Sequence, residues 1–353
     1  MLIGEKNYRT AFILGAGATR GAVKHVLINN KRLRPPLNAD FFQVAETYAR
    51  AVGANSATAQ RLTRLKAVFK EEIPFKGLPT MEQAFSLLYT AKDFPEIYKS
   101  GPGRKPIAGY RKEIEDFLRL TFDILVTLDR GAASLTGYDR LVGKLGTGDT
   151  LISLNYDTLL DSALVRAGWD PKLGYRLVGG KGKVEWKPVR LAENSAAHLS
   201  NVSLLKLHGS ANWFVRGSYN NLTKIFETKP VRVTSPRRND IARHLRQIVP
   251  PIYGKLFGHP HWRKLWKDAY KALCDAEVMV VIGCSLIDTD FHLRALVGRV
   301  SKHRKQNAGR LKKLIVVADI KTRRKWLRAF KAAYQRNDGY RFLDGFLAKE
   351  LKA

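Results

Sequence analysis

Cysteine is nearly absent. The 353-residue chain carries only Cys274 and Cys284, too few for a disulfide framework or a four-thiolate zinc site, so a reducing cytoplasm is the expected compartment. Long apolar runs are missing too. The longest, Val278 to Ile287, ends against Asp288 and falls well short of the roughly 18 residues needed to cross a bilayer, which predicts a buried strand and no membrane span. The short run Ala11 to Leu14 after Lys6 and Arg9 opens onto glycines rather than a cleavage site, so it reads as mature structure and not as a secretory segment. No internal repeat or low-complexity tract is evident.

Acidic residues are the third scarcity: 31 Asp and Glu stand against 62 Lys and Arg, a formal charge of +31. With 45% of positions apolar, the chain is nonetheless no disordered polyelectrolyte, and its length suits one large core or two smaller ones. Between Arg299 and Arg341 fifteen Lys and Arg face only Asp319 and Asp338, and from Lys229 to Arg246 six face Asp240. Such a field attracts nucleic acid, anionic nucleotides or an acidic protein, and also fits a merely solvated surface. The charge alone does not choose among these.

The hydrophobic pattern changes twice. Thr10 to Leu14 reads as a strand that runs into Gly15-Ala16-Gly17-Ala18-Thr19-Arg20-Gly21 and a helix start. From about Asp40 to Leu145 the spacing is helical, as in Phe85, Leu88 and in Ile114, Phe117, Leu118, Phe122, Leu125, with breaks at Pro74 to Pro79 and Ser100 to Gly103. Strands then return at Thr150 to Leu154, Val202 to Leu207, Val278 to Ile282 and Leu314 to Ala318. Helices are expected over Asp157 to Ala167, around Phe291 to Val300, and over Thr322 to Arg336, where Trp326, Leu327, Phe330 and Tyr334 make an apolar stripe. Trp262 and Trp266, four apart, read as packing residues of one more helix. Lys172 to Glu193 reads as a hairpin excursion. The fold class is therefore α/β: a Rossmann-like, mostly parallel sheet with helices on both faces, formed by residues 1–37 and 146–353, plus an inserted helical module over 38–145 that could serve as a lid or an interface.

Ligands of such sheets bind at the carboxyl ends of the strands, and the polar motifs cluster there. Gly15-Ala16-Gly17 offers backbone N–H groups to a phosphate, though a ligand-free tight turn would look the same; the spacing Gly15, Gly17, Gly21 departs from the dehydrogenase G-x-G-x-x-G. Asn155 and Asp157 follow a strand and either converge on a pocket or cap the next helix. His208, before Gly209 and Ser210, is either a base, since imidazole titrates near pH 6.5, or a turn residue. Asp319 is placed to accept ribose hydroxyls or to cap a helix. His259 and His261 have no acidic or thiol ligands clustered with them, so no metal site is expected.

Taken together, Gly15-Ala16-Gly17-Ala18-Thr19, Leu154-Asn155-Tyr156-Asp157, Leu207-His208-Gly209-Ser210-Ala211-Asn212-Trp213 and Ile282-Gly283-Cys284-Ser285-Leu286-Ile287-Asp288-Thr289-Asp290 resemble, in order, the sirtuin-like NAD-hydrolase family of bacterial antiviral systems. The resemblance implies Asn155 and His208 as a catalytic pair with Asp157 as an acid beside them. It implies Gly15, Ala16, Gly17, Ala18 and Thr19 as a phosphate loop, with Gly209, Ser210, Gly283, Cys284, Ser285, Asp288 and Asp319 around the dinucleotide. NAD is then a substrate and no metal is needed. The expected activity is cleavage of the nicotinamide–ribose bond; the other reading is a module that senses NAD or ADP-ribose while its basic surface binds nucleic acid or an acidic partner. The resemblance also implies a homo-oligomer or a separately encoded activator, such as a hexameric motor ATPase or a short Argonaute. Protein-deacylating sirtuins carry a four-cysteine zinc module and a Gly-Ile-Pro-Asp-Phe-Arg segment; this chain has neither, which speaks against peptide deacylation.

Overall fold

Val, Ile and Leu without polar interruption make strands that are buried on both faces, the signature of a parallel sheet. A computed structural model describes residues 8–72, 77–93, 111–132, 136–176, 183–185, 199, 201–216, 232–234, 244–248, 260–287, 290–309, 311–331 and 333–350. The strands are β1 (Thr10–Leu14), β2 (Val26–Ile28), β3 (Lys31–Leu33), β4 (Thr150–Ser153), β5 (Lys183–Glu185), β6 (Ser203–Lys206), β7 (Gly209–Arg216), β8 (Arg232–Thr234), β9 (His244–Ile248), β10 (Val278–Ile282), β11 (Leu311–Val317) and β12 (Tyr334–Tyr340).

Six of them form one parallel sheet in the order β12-β11-β10-β1-β4-β6. Every residue of β1, β6 and β10 is buried. The chain leaves β1 for β4 on one side and returns to β10 on the other, so β1 and β10 flank the topological switch point of a Rossmann-type sheet. At one edge β12 exposes Arg336 and Asn337, polar side chains that discourage pairing with a further chain. A second sheet, β5-β8-β7-β9, takes one strand from before β6 and three from after it. No helix among the described residues is long and apolar enough to cross a membrane.

The chain divides into two compact units: residues 1–23, 132–248 and 256–353, which hold both of these sheets, and residues 24–131 with 249–255. In the second, the hairpin β2-β3 turns through Asn29 and Asn30 at φ 45° and 63°, the left-handed pair that a two-residue hairpin loop of the primed type demands. Its helices Phe41–Val52, Ala57–Glu72, Met81–Asp93 and Arg111–Gly131 bury a cluster of rings. Phe85 stacks on Phe117 at 4.1 Å, and Phe42 meets Phe69 at 5.4 Å.

Two sequence expectations need correction. The helix foreseen over Thr322 to Arg336 is Ile320–Phe330. Lys331 turns left-handed at φ 42°, Ala333 N–H bonds the Phe330 carbonyl at 2.8 Å, and Tyr334 then opens β12. The four-residue spacing of Phe330 and Tyr334 is thus coincidental. The segment Lys172 to Glu193 begins as a short helix, Pro171–Gly174, and β5 pairs parallel with β8; residues 177–182 and 186–193 lie outside the described residues, as do Ser100 to Gly103 and, in the second basic stretch, 229–231 and 235–243.

Asp149 supports the amino edge of the sheet. Its carboxylate accepts the Thr10 N–H at 2.9 Å and the Gly146 N–H at 2.8 Å, and burial raises its pKa to about 6. The native state therefore binds this proton more tightly than the unfolded chain, whose aspartate titrates near pH ~3.9. The resulting stability is full below about pH 4 and is lost as pH rises through about 6. Asp149→Asn should remove on the order of 2 to 3 kcal/mol of that pH dependence. Urea unfolding of both proteins at several pH values checks this; parallel curves would refute it.

Candidate functional site

Each strand of the main sheet hands its ladder on by one more hydrogen bond at its carboxyl end. Gly15 N–H bonds Ile282 O at 3.0 Å, Leu154 N–H bonds Leu14 O at 2.9 Å, Leu207 N–H bonds Ser153 O at 3.0 Å, and Gly283 N–H bonds Val317 O at 2.9 Å. The four motifs consequently emerge along one edge. Because Ser153 is in register with Lys206, Asn155 and His208 each lie two residues beyond a paired position on adjacent strands. The loop that holds Asn155 is tied to the start of β7, just after His208, by Ala211 N–H to Tyr156 O at 2.7 Å.

The glycine turn is tighter than expected. The helix Ala16–Ala22 starts immediately after Gly15. A Cβ on Gly15 would lie 2.6 Å from Gly283 O, and one on Gly17 would lie 2.8 Å from Gly283 Cα. Gly283 itself adopts φ 56°. The two loops therefore meet backbone to backbone across the switch point. The N–H groups of Gly17 and Ala18 bond Gly283 O and Gly15 O at 3.0 and 2.8 Å; with Gly15 N–H bonded to Ile282 O, three of the donors that the sequence offers to a phosphate are engaged, two across to β10 and its loop and one within the turn. Among the described residues of these two loops, Ala16 and Ser285 are the exposed positions.

Asn155 closes the turn from the β4 side. Its Nδ2 donates to Gly15 O and to Thr19 Oγ1, both at 2.9 Å. With its amide hydrogens engaged, it can offer a ligand only the carbonyl Oδ1, an acceptor. Thr19 donates its one hydroxyl proton to Asp157 Oδ2 at 2.8 Å, so the Tyr138 hydroxyl, 2.9 Å away, is the donor toward Thr19. Asp157 Oδ1 accepts Leu159 N–H at 3.2 Å. Asp157 thereby holds Thr19 and the start of the next helix. Desolvation raises its pKa, opposed by the Lys206 charge and the Thr19 bond. Burial likewise lifts the Tyr138 phenol well above its ordinary value.

Beneath this layer lies a fully buried ionic group. Lys206 Nζ reaches Asp161 Oδ2 at 3.0 Å and Asp157 O at 2.5 Å. The Tyr175 hydroxyl donates to Asp161 Oδ1, and Asn212 Nδ2 donates to that hydroxyl at 3.2 Å. Sequence reading missed all of it, although a lysine inside the apolar run Val202 to Leu207 was a signal.

His208 is buried on the other side. Its Nε2 faces Asp290 Oδ2 across 3.4 Å, and its ring is bordered by Tyr156 and Trp266, each 6.4 Å between centroids. Asp290 Oδ1 accepts Leu293 N–H at 3.3 Å, so one carboxylate starts the helix Phe291–His303 and confronts the imidazole. Asp290 closes the last of the four sequence motifs yet was not singled out.

The remaining candidates divide. Gly209, at φ 82°, and Ser210, wholly buried, open β7 rather than a loop. Cys284 is buried, its thiol pushed up to about 12 by desolvation, and its carbonyl accepts Trp326 Nε1–H at 2.7 Å. Asp319 caps its helix, accepting Thr322 N–H at 3.0 Å and Thr322 Oγ1–H at 2.8 Å, and these bonds lower its pKa; of its two expected roles this is the one the structure displays. Asp288 lies outside the described residues.

A family model described as a SIR2-like domain matches residues 149–335. Solved structures similar to the chain include Sir2Tm bound to a propionylated peptide, at 12% identity over 99% of this chain and 94% of that one, with a TM-score of 0.39. Another is a variant Sir2 homologue in complex with ADP-ribose, at 12% identity over 94% and 93%, with a TM-score of 0.35. Among curated proteins none matches.

Proposed function

Because the chain belongs to the SIR2-like domain family, we propose that it is an NAD+ glycohydrolase that releases nicotinamide and ADP-ribose. The observation that carries the reading is the register-matched exit of Asn155 and His208 beside the switch point, with Asp290 facing the imidazole at 3.4 Å. In the reaction the bond between C1′ of the ribose and the nicotinamide nitrogen breaks, and its electron pair leaves with the now neutral nicotinamide. The oxocarbenium-like C1′ takes the oxygen of a water, whose proton goes to His208 and then to solvent. Asp290 orients the imidazole and stabilises its charged form, the usual division of labour between a base and its orienting carboxylate. Asn155 Oδ1 accepts from a ribose hydroxyl or from the attacking water. Ala16 and Ser285 border the ligand where the two loops open.

Depletion of NAD suits the effector of a bacterial anti-phage system, active as a homo-oligomer or with a separately encoded partner such as a hexameric motor ATPase or a short Argonaute. The ordered resemblance of the four motifs supports that role.

Nicotinamide release is the direct test. His208→Ala should lower turnover by about a hundred- to ten-thousandfold, the usual range for a lost general base, with an unchanged thermal melt. An active wild type matched by His208→Ala would remove His208 from the mechanism. Wild-type protein that neither releases nicotinamide nor binds ADP-ribose in calorimetry would overturn the reading, while ADP-ribose binding without turnover would favour a sensing module.

A further inference from the structure

A cavity of about 790 Å³ runs between the helices Pro260–Asp275 and Phe291–His303. On the first helix Arg263, Trp266 and Tyr270 share a stripe; on the second His292, Arg299 and His303 share another, with Ala295 and Leu296 between them. Rings meet across the groove in two steps, Trp266 with His292 at 5.9 Å and Tyr270 with His303 at 6.2 Å. Arg263, Arg299 and Lys302 are exposed along it, and no carboxylate is among the described residues that line it. Arg304 makes the walls rigid: its buried guanidinium donates to the carbonyls of Leu273 and Ala276, tying the end of the first helix to the end of the second. At about 1.5 Å per residue the second wall is ~16 Å long, enough for several nucleotides.

We propose that this groove binds single-stranded nucleic acid, its phosphates against Arg263, Arg299 and Lys302 and its bases against Tyr270 and His303. Cations alone would suit any polyanion. The rings decide the class, because unpaired bases present faces that stack on aromatic side chains, whereas an acidic peptide would satisfy the cations and leave the rings uncovered. Trp262, on the same helix, has a different fate: it is buried against Trp213 at 6.1 Å and belongs to the core. The proposal does not depend on the hydrolase reading, since none of the groove's cations takes part in it.

Fluorescence anisotropy with a labelled 15-nucleotide oligothymidine, at about 50 and 200 mM salt, tests the site on the full chain. Binding should occur, and Tyr270→Ala should weaken it about 5- to 150-fold while Tyr270→Phe restores it, as expected for loss of one stacked base. The double change Arg299→Ala, Lys302→Ala should flatten the logarithmic salt dependence by about 1.4, at ~0.7 per lost phosphate contact. Tyr270 is 37% exposed, so its replacement should not unfold the protein, which a thermal melt verifies. The proposal falls if oligothymidine does not bind, if an abasic polymer of equal length or polyglutamate binds as tightly, or if neither variant differs from wild type.

Discussion

Lys206→Ala is expected to destabilise the fold by about 3 to 5 kcal/mol, the cost of removing one partner from a buried ion pair. The side chains of Lys206 and Asp161 are each 1% exposed. Without the ammonium, the Asp161 carboxylate stays in the interior with the Tyr175 hydroxyl as its remaining donor among the described residues, and the Asp157 carbonyl loses its bond to Nζ. Asp157, whose charge Lys206 favours, would be pushed further toward its protonated form, loosening its hold on Thr19. A domain stable by about 5 to 15 kcal/mol has little margin for this. Urea denaturation measures it, and a Lys206→Ala unfolding free energy within about 1 kcal/mol of wild type would show that the pair contributes little. The double change Lys206→Met, Asp161→Leu should recover much of the loss, because an apolar pair avoids the desolvation cost of both charges.

Gly283→Ala should be as severe, for a steric reason. The added Cβ would lie 2.1 Å from Ala18 N and 2.2 Å from Gly17 C, backbone atoms that cannot rotate away, at a φ of 56° that L-residues disfavour. Accommodating it means separating the loop after β10 from the loop after β1. We expect a loss above about 4 kcal/mol, in the range reserved for strain and overpacking, together with loss of ADP-ribose binding. Gly298→Ala is the control: that glycine is exposed in a helix with nothing within 4 Å of the new Cβ, so a gain of about 0.4 to 1 kcal/mol is expected. Equal melting temperatures for the two variants would refute the interlock.

How legible all this was in the sequence depended on the kind of signal. Strands β1 and β10 were found with both ends correct, because apolar runs stopped by Gly15 and Gly283 are unambiguous punctuation. The run Val202 to Leu207 is equally plain, and a turn at His208 is one of its two sequence readings, but β7 has no such signal, since periodicity does not reveal that a strand resumes after a two-residue turn. The Asp290 carboxylate beside His208 depends on how a helix start packs against a distant turn, and local pattern carries no trace of that. The engagement of the glycine N–H groups by Gly283 and Ile282 was equally invisible, for a turn that grips a neighbour and one that grips a phosphate use the same residues. The Trp266 side chain shows the opposite case: its spacing from Trp262 gave the helix correctly, while the groove it lines came only from the second helix.

The placement of β1 also bears on how the protein is made. This strand is synthesised well before its partners: Ala11 pairs with Thr150 and Met279, so both neighbours arrive much later. Until residues near 282 have been synthesised, β1 remains a bare sheet edge, open to pairing with other nascent chains. Assembly of such distant partners is slow, and yield in a recombinant host should therefore respond to lower growth temperature and to chaperone supply more than to changes on the surface.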